Sequence, residues 1–312
     1  MATDAVIQIE NVTKRYRVGS GLKSKLALDN VSLSVSRGEV FGFLGPNGAG
    51  KTSLIKILVG IMSADAGACR IMGSDSSTRN AKLKIGYLPE RPYFHDFLTA
   101  AEFLRFHGRL MAMSERAIDA RIPELLERVG LAKSHDQRLR TFSKGMLQRI
   151  GFAQALLHDP QVLILDEPMS GLDPVGRREV RDIIGEIALS GKTIFFSTHI
   201  VHDVEVVCTT VGYINGGQLK GAGNIESLLG KTIKSMEIRF DLPYEKDPHK
   251  FKLLKQARRT MDGWVIEVEA APDRVESEVN EALSLILSEK GSVRAVVPRK
   301  STLEDLFFEG KK

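Results

Sequence analysis

The most informative segment of the chain reads Gly45-Pro46-Asn47-Gly48-Ala49-Gly50-Lys51-Thr52-Ser53. It fits G-x-x-x-x-G-K-[ST], the P-loop, whose glycines let backbone N–H groups close around phosphate oxygens. The apolar run at 39–44 predicts a buried strand before the loop, and residues 52–62 predict a helix after it. In this pattern Lys51 is expected to reach the β- and γ-phosphates of a nucleotide, and the Thr52 hydroxyl to bind Mg²⁺. The alternative is a glycine-rich turn that binds nothing.

The composition is that of an ordinary globular protein, with 43% hydrophobic and 27% charged residues among 312. This length predicts about two domains. No apolar run reaches the roughly 18 residues of a membrane-spanning helix, and residues 1–5 lack the pattern of a signal peptide. Cys69 and Cys208 fit no metal-binding spacing, so we expect two reduced, buried side chains. The net charge of +5 is mild and demands neither nucleic acid nor an anionic membrane as a partner.

Strands and helices are predicted to alternate after the P-loop, which favours an α/β core with a mostly parallel sheet covered by helices on both faces. Two strands predicted before the loop, at 6–12 and 28–35, add an antiparallel part. A hairpin is predicted at 212–218, with Asn215-Gly216 at its turn. The remaining predictions are helices at 101–113, 115–129, 145–157 and 175–189, with Pro123 as a kink or a helix start, and strands at 162–165 and 193–197.

The sequence becomes charge-dense and alternating near Gly230, which we expect to end the preceding helix. This change predicts two domains, at 1–229 and 230–312. The second domain is expected to be a small α+β module with strands at 236–242, 264–269 and 293–297 and helices at 275–287 and 302–308.

Two carboxylates, Asp166 and Glu167, follow the predicted strand at 162–165. Ligands bind at the carboxyl ends of parallel strands, so these side chains should lie near the P-loop. We expect Asp166 to belong to the Mg²⁺ shell, through water, and Glu167 to polarise the water that attacks the γ-phosphate. The alternative is an acidic pair that caps the next helix.

Two further side chains are candidates for nucleotide contacts. His199 follows the predicted strand at 193–197 and could bond a γ-phosphate oxygen, although a lone histidine is often only a satisfied polar residue. Tyr16 offers an aromatic face on which adenine could stack, although an ordinary surface tyrosine is the alternative.

The order of these motifs resembles closely the ATP-binding subunits of ABC transporters, over residues 6–228. Four segments carry the resemblance besides the P-loop and the acidic pair: the signature motif at 142–149, the Q-loop at 85–90, the D-loop at 170–173 and the switch histidine at 197–199. The forms Ser-Lys-Gly-Met and Gly-Tyr-Leu-Pro-Glu are most similar to ABC-2-type exporters, and the tail at 303–307 is similar to an accessory domain common there. The resemblance implies a P-loop ATPase core with an antiparallel β subdomain and a helical subdomain near 90–158.

In that family two subunits face head to tail, which implies a second ATPase subunit as a partner: a second copy of this chain or, as the alternative, a different chain in a heterodimer. Each ATP then lies between the P-loop of one chain and Ser143 and Gly145 of the other, with Asp173 of the D-loop near the same nucleotide. Hydrolysis in such a dimer would use Lys51, Glu167 and His199, with Mg²⁺ bound.

A separate transmembrane permease subunit is the other implied partner, which would place this chain in the cytoplasm, peripheral on the inner face of the cell membrane. The segment Pro92-Tyr93-Phe94 with Phe97 and Leu98 either docks the permease or belongs to the subdomain core. A non-transport ABC ATPase acting on ribosomes or nucleic acid is the alternative. It is disfavoured because the chain has one Gly-Lys-Thr loop and no sustained heptads between Lys51 and Asp166, so no nucleic acid is expected. A binding module with a dead site would require losses at Lys51, Asp166 or Glu167, and all three are intact.

The chain departs from the usual family pattern at four positions. Lys144 and Met146 replace a glycine and a glutamine of the signature motif, and Met169 stands where threonine is common. Glu90 stands where many members have glutamine. A carboxylate there could bind Mg²⁺, and a third acid near Asp166 and Glu167 should raise at least one carboxyl pKa.

Overall fold

The computed structural model describes residues 4–18, 23–229, 233–269, 275–300 and 303–304. The chain divides into two compact units, Met1–Ile225 and Glu226–Lys312, here called the N-terminal and C-terminal units. The boundary predicted between 229 and 230 lies slightly further along the chain, and Gly230 itself lies outside the described residues. Within the described part of the chain, no helix combines the length and the apolar character needed to cross a membrane.

The strands and helices are numbered in chain order. The strands are β1 Ala5–Val18, β2 Lys23–Ser36, β3 Val40–Leu44, β4 Ala66–Ile71, β5 Ser74–Asp75, β6 Ile85–Leu88, β7 Val162–Asp166, β8 Thr193–Thr198, β9 Thr210–Asn215, β10 Gln218–Asn224, β11 Ile233–Asp241, β12 Arg258–Thr260, β13 Gly263–Glu269 and β14 Ser292–Lys300. The helices are α1 Lys51–Leu58, α2 Arg79–Lys82, α3 Ala100–Leu110, α4 Glu115–Arg128, α5 Lys144–Leu156, α6 Pro174–Leu189, α7 Val201–Val207, α8 Ile225–Leu229 and α9 Val275–Ser288.

A six-stranded sheet forms the centre of the N-terminal unit, with the order β10-β9-β3-β8-β7-β6. Its strands are parallel except β10, which pairs antiparallel with β9. Every residue of β3, β7 and β8 is buried, as expected for parallel strands covered on both faces. The register pairs Leu44 with Thr198 and Asp166 with Ser197. The segments that follow β3, β7 and β8 therefore leave the sheet at one edge.

Two further layers cover this sheet. The antiparallel sheet β2-β1-β4-β5 shares an apolar core with α1 and one face of the parallel strands. Helices α3, α4 and α5 pack with α6 into a second core on the other face. Each of α3, α4 and α5 begins at a hydroxyl side chain that accepts a backbone N–H bond: Thr99, Ser114 and Ser143, respectively.

The C-terminal unit contains the antiparallel sheet β12-β13-β11-β14, with α9 packed on one face. Its core includes Ile238, Phe240 and Ile286, so period-two strands and an amphipathic helix bury one common face. The other face carries a cavity of about 720 Å³, where Glu237 is paired with Arg239 and Arg299. This cavity is larger than the one at the P-loop, but it contains none of the motifs that predict nucleotide chemistry.

Several predicted boundaries are wrong by a few residues, for local reasons. Helix α1 ends at Leu58 rather than 62 because Gly60, at φ 67°, adopts the left-handed conformation that terminates helices. The hairpin turns at Gly216-Gly217 rather than Asn215-Gly216, since Asn215 still belongs to β9. Pro123 lies inside α4 and does not begin a helix. Of the helix predicted at 302–308, only Leu303 and Glu304 are described, and both are helical.

Candidate active site

A cavity of about 430 Å³ opens beside the P-loop, at the edge where β3, β7 and β8 end. We call it the P-loop cavity. Its walls bring together the loop itself, the first antiparallel strands, and the segments that follow β6, β7 and β8. The lining residues are Tyr16, Lys25, Ala27, Asn47, Gly48, Gly50, Lys51, Thr52, Ser53, Glu90, Glu167, Ser170 and His199.

The backbone of the P-loop requires glycine at Gly50. Gly50 has φ 111° and is the residue before α1, whose first N–H groups receive no side-chain cap. A Cβ at Gly50 would also collide with the carbonyl oxygen of Ala27 in β2. The loop therefore presents free donors and the positive end of a helix to the P-loop cavity, which suits an anion.

Lys51 places a buried ammonium group at the base of the cavity. Its Nζ donates to the carbonyl oxygens of Gly45 at 2.7 Å and Pro46 at 3.2 Å. The same atom lies 3.1 Å from Oε1 of Glu167. These three oxygen partners hold the ammonium group where phosphate oxygens could take over as ligands.

Asp166 lies behind this surface, held by two hydroxyl groups. Ser197 Oγ donates to Asp166 Oδ1 at 2.7 Å, and Thr52 Oγ1 lies 3.4 Å from the same oxygen. Burial raises the pKa of Asp166, the two hydroxyl bonds lower it, and the nearby carboxylates of Glu167 and Glu90 raise it. The expected rise of a carboxyl pKa is therefore present, with burial rather than charge repulsion as its main cause.

Glu167 is held through both its backbone and its side chain. Its φ of 49° is left-handed, an arrangement that costs a non-glycine residue about 1–3 kcal/mol. Its backbone N–H donates to Ser197 Oγ at 3.0 Å. One carboxylate oxygen faces Lys51, and the other lies 2.9 Å from Nδ1 of His199, a distance that suits an Nδ1–H donor. Glu167 and His199 are thus in contact beside the P-loop, and Ser197 joins them as a residue that the sequence analysis did not single out.

Tyr16 lies at the rim of the cavity. Its hydroxyl is hydrogen-bonded to Ser53 Oγ at 3.1 Å and lies 3.1 Å from Met62 Sδ. About a third of the surface of Tyr16 is exposed, and the residue lines the cavity. Lys25 and Ala27 of β2 line the same wall and were missed, because only the register of the antiparallel sheet brings them there.

The antiparallel sheet is joined to the P-loop by main-chain contacts. Besides its carbonyl against Gly50, Ala27 lies against Gly217 in the β9–β10 turn, where a Cβ would come within 2.9 Å of the Ala27 oxygen. Gly217 N–H donates to Ala49 O at 3.0 Å, and Asp29 N–H donates to Gly217 O at 2.8 Å. Three segments thus meet at one main-chain junction.

Glu90 lines the cavity, with 42% of its side chain exposed and Arg91 Nε 4.0 Å from its carboxylate. In the described parts of the chain, no group of three or more His, Cys, Asp or Glu side chains is arranged to hold a metal ion. The hard-oxygen donors present are the Thr52 hydroxyl and carboxylates such as Asp166. These donors suit Mg²⁺ when phosphate oxygens and water complete its shell.

Ser143, Gly145 and Asp173 are not among the residues that line the cavity in this chain. Ser143 begins α5 and accepts from Met146 N–H at 3.2 Å, and Asp173 begins α6 and accepts from Gly176 N–H at 2.9 Å. Gly145 has open space where a Cβ would be placed, since its nearest neighbour is Ser143 Oγ at 4.0 Å. All three stand at the first turns of helices, as predicted for Gly145.

Helix α5 also contacts the loop that follows Glu167. Gln148 is buried, and its Nε2 donates to the carbonyl oxygen of Pro168 at 2.8 Å. Lys144 extends over Gly171, where a Cβ would collide with its Nζ. Gln148 lies within the signature motif at 142–149, but the sequence analysis assigned it no role of its own.

The sequence is similar to that of known ATP-binding proteins. A family model described as ABC transporter matches residues 28–170. The uncharacterized ABC transporter ATP-binding protein sll0415 of Synechocystis is 46% identical over 228 residues, which are 72% of this chain and 64% of that protein. The uncharacterized ABC transporter ATP-binding protein YdbJ of Bacillus subtilis is 34% identical over 310 residues, which are 98% of this chain and 95% of that protein. The chain belongs to the ABC transporter ATP-binding proteins.

Other relatives and solved structures extend this result. The linearmycin resistance ATP-binding protein LnrL of Bacillus subtilis is 34% identical over 72% of this ABC protein and 71% of its own length. A solved ATP-binding subunit of an ABC transporter is 29% identical, with a TM-score of 0.63 over 72% of this chain and 91% of that one. The dimeric ATP-binding cassette MJ0796, bound to ADP and Pi, shares the fold at 23% identity, with a TM-score of 0.63 over 70% of this chain and 98% of that one. The predicted P-loop ATPase fold and the predicted enzyme class, an ATPase, are confirmed.

Proposed function

We propose that this ABC protein hydrolyses ATP in the P-loop cavity with Glu167 as the general base, and that hydrolysis powers a separate membrane exporter. The observation that carries the proposal is the position of the Glu167 carboxylate. It lies between Lys51 Nζ at 3.1 Å and His199 Nδ1 at 2.9 Å, next to the P-loop. A carboxylate held in this way can accept a proton from a water molecule that approaches the γ-phosphate.

The other side chains of the site bind and orient the nucleotide. Lys51 exchanges the carbonyl oxygens of Gly45 and Pro46 for phosphate oxygens, and its charge stabilises the transferring phosphoryl group. His199 holds the Glu167 carboxylate in orientation, and Tyr16 offers its ring to adenine. Thr52 and Asp166, with Glu90 at the rim, would hold Mg²⁺, which supplies charge neutralisation at the phosphates when bound.

The second half of the site comes from a second copy of this chain. Ser143 and Gly145 lie at the first turn of α5, where the positive end of the helix and the open space beside Gly145 suit an anion from outside the chain. Asp173 stands at the corresponding end of α6. In the proposed dimer these residues meet the γ-phosphate bound by the partner's P-loop, and ATP binding closes the pair.

The membrane partner is proposed to be a permease of the ABC-2 exporter type. LnrL, a resistance protein, and the lantibiotic transport protein SrtF of Streptococcus pyogenes are relatives whose names support export. The aromatic segment after the Q-loop divides into two roles: Phe94 and Leu98 pack against the core, whereas Tyr93 and Phe97 are 82% and 64% exposed. The exposed pair is available to the permease, and this docking would make the protein peripheral on the cytoplasmic face of the membrane.

The test is Glu167→Gln, which keeps the shape of the side chain and removes the base. ATP hydrolysis should fall by roughly 10²–10⁴-fold, the usual contribution of general-base catalysis, while ATP binding persists. The variant should then accumulate as an ATP-bound dimer in size-exclusion chromatography. Glu127→Gln, an exposed substitution in α4, is the matched control and should hydrolyse ATP normally. A rate near that of the wild type in Glu167→Gln would remove Glu167 from the mechanism.

A further inference from the structure

The loop after Glu167 is held from two sides by polar contacts. On the sheet side, Ser197 Oγ accepts the backbone N–H of Glu167 at 3.0 Å. On the helical side, Gln148 Nε2 of α5 donates to the carbonyl oxygen of Pro168, the next residue, at 2.8 Å. These two bonds bracket a residue whose φ of 49° is unfavourable for a glutamate.

Gln148 is a buried polar side chain. It is 8% exposed, and its neighbours on α5, such as Ile150 and Phe152, are fully buried apolar side chains. A buried amide without a partner is unfavourable, so the bond to Pro168 O has a structural reason to persist. Gln148 is not among the residues that line the P-loop cavity. Its described hydrogen-bond partner, the carbonyl oxygen of Pro168, belongs to a residue that does not line the cavity either.

We infer that Gln148 is a positioning residue for hydrolysis: its bond to Pro168 O fixes the left-handed turn that aims the Glu167 carboxylate between Lys51 and His199. This inference rests on the proposed role of Glu167 as the base. It also assigns α5 a second task. The helix whose first turn carries Ser143 and Gly145 also carries Gln148, three residues after Gly145, so a shift of α5 is transmitted through the bond to Pro168 O to the base of the same chain.

Gln148→Met tests this because methionine keeps the length and apolar packing of the side chain and removes the donor. Misplacement of a catalytic group by about 1 Å can cost roughly 100-fold in rate, so kcat should fall roughly 10- to 100-fold. KM for ATP should stay near that of the wild type, because the P-loop is untouched. Gln137→Met, which removes an exposed glutamine bond to Thr141, is the matched control and should keep kcat.

A double variant separates positioning from general damage. If Gln148 acts only through Glu167, then Gln148→Met/Glu167→Gln should hydrolyse ATP no more slowly than Glu167→Gln alone. A merely structural loss would instead multiply the two defects. ATP-driven dimerisation of the double variant should also equal that of Glu167→Gln.

Gln148→Glu adds a pH-dependent test. The introduced carboxylate cannot donate to Pro168 O, whereas its protonated form can, and burial raises its pKa into an accessible range. The ratio of its kcat to that of the wild type should therefore rise as the pH falls, and the ratio for Gln148→Met should not.

Three results would overturn the inference: a kcat for Gln148→Met equal to that of Gln137→Met, a parallel loss of ATP binding, or a double variant much slower than Glu167→Gln. The two proposals fail in different ways. If Glu167→Gln hydrolyses ATP at the wild-type rate, the proposed base is wrong. If Glu167→Gln is inactive and Gln148→Met is fully active, only the role of Gln148 is wrong.

Discussion

Ser197→Ala should destabilise the N-terminal unit in a pH-dependent way. The Ser197 hydroxyl is fully buried and makes two bonds, donating to Asp166 Oδ1 at 2.7 Å and accepting from Glu167 N–H at 3.0 Å. A bond to a charged group contributes about 1.5–3 kcal/mol and a neutral bond about 0.5–1.5 kcal/mol, so the loss should be about 2–4.5 kcal/mol at neutral pH.

The pH dependence follows from Asp166. Burial raises the pKa of this carboxyl in the folded state, and the bond from Ser197 opposes that rise. Without the hydroxyl, the pKa of Asp166 rises further, so the ionised form adds to the cost of folding at neutral pH. Below the raised folded pKa the carboxyl is protonated and this part of the cost disappears. The difference between the wild type and Ser197→Ala should therefore shrink as the pH falls through the raised pKa of Asp166.

The assay is urea denaturation followed by far-ultraviolet circular dichroism at neutral and acidic pH. The single tryptophan, Trp264, lies in the C-terminal unit, so its fluorescence reports that unit separately. Ser190→Ala is the control, because it removes one neutral bond, from Ser190 Oγ to Ile187 O at 2.6 Å. If Ser197→Ala costs no more than Ser190→Ala, or costs the same at every pH, the reasoning about Asp166 is refuted.

Two other predictions concern the cavity rim and the domain boundary. The Glu90→Gln variant should need more Mg²⁺ for half-maximal ATPase activity, because the substitution removes a formal charge from a hard-oxygen site. The acid limb of its ATPase pH profile should also move to lower pH, because the Glu90 charge raises the pKa of Asp166. Superimposable Mg²⁺ titrations at several pH values would remove Glu90 from the metal site. A chain ending at residue 229 should stay soluble and bind ATP, since the contacts divide the protein near Ile225; unfolding of the shortened chain would show that the two units form one cooperative domain.

The parts of the site that the sequence predicted are those set by local pattern. The P-loop needs its glycines and Lys51 at fixed spacing, and Asp166 and Glu167 come directly after a short aliphatic run that predicts a buried strand. Their proximity followed from one rule, that parallel strands end at a common edge. The structure adds that Glu167 contacts both Lys51 and His199.

The parts that the sequence did not predict depend on long-range register. Ser197 reaches Asp166 because β7 and β8 pair with these residues opposite each other. Ala27 meets Gly50 at a shift in the β1–β2 register, where Lys14 pairs with Leu28 and Arg15 with Leu26 and Ala27 is left out of the pairing. No local pattern encodes either contact. Gln148 gave a weak signal as a polar residue among apolar ones, but its partner is a backbone carbonyl, which has no signature in the sequence.

The junction at Ala27 has a consequence for transplanting parts between members of this family. Because the contacts among Ala27, Gly50 and Gly217 run through carbonyl oxygens and glycine backbones, they are insensitive to the side chain at position 27. The antiparallel sheet could therefore be exchanged for that of a relative with a different adenine wall, provided that its strand supplies a carbonyl at the same register. A one-residue insertion in β2 would be tolerated far less well than any substitution there, since it would turn that carbonyl away and leave both glycines without their neighbour.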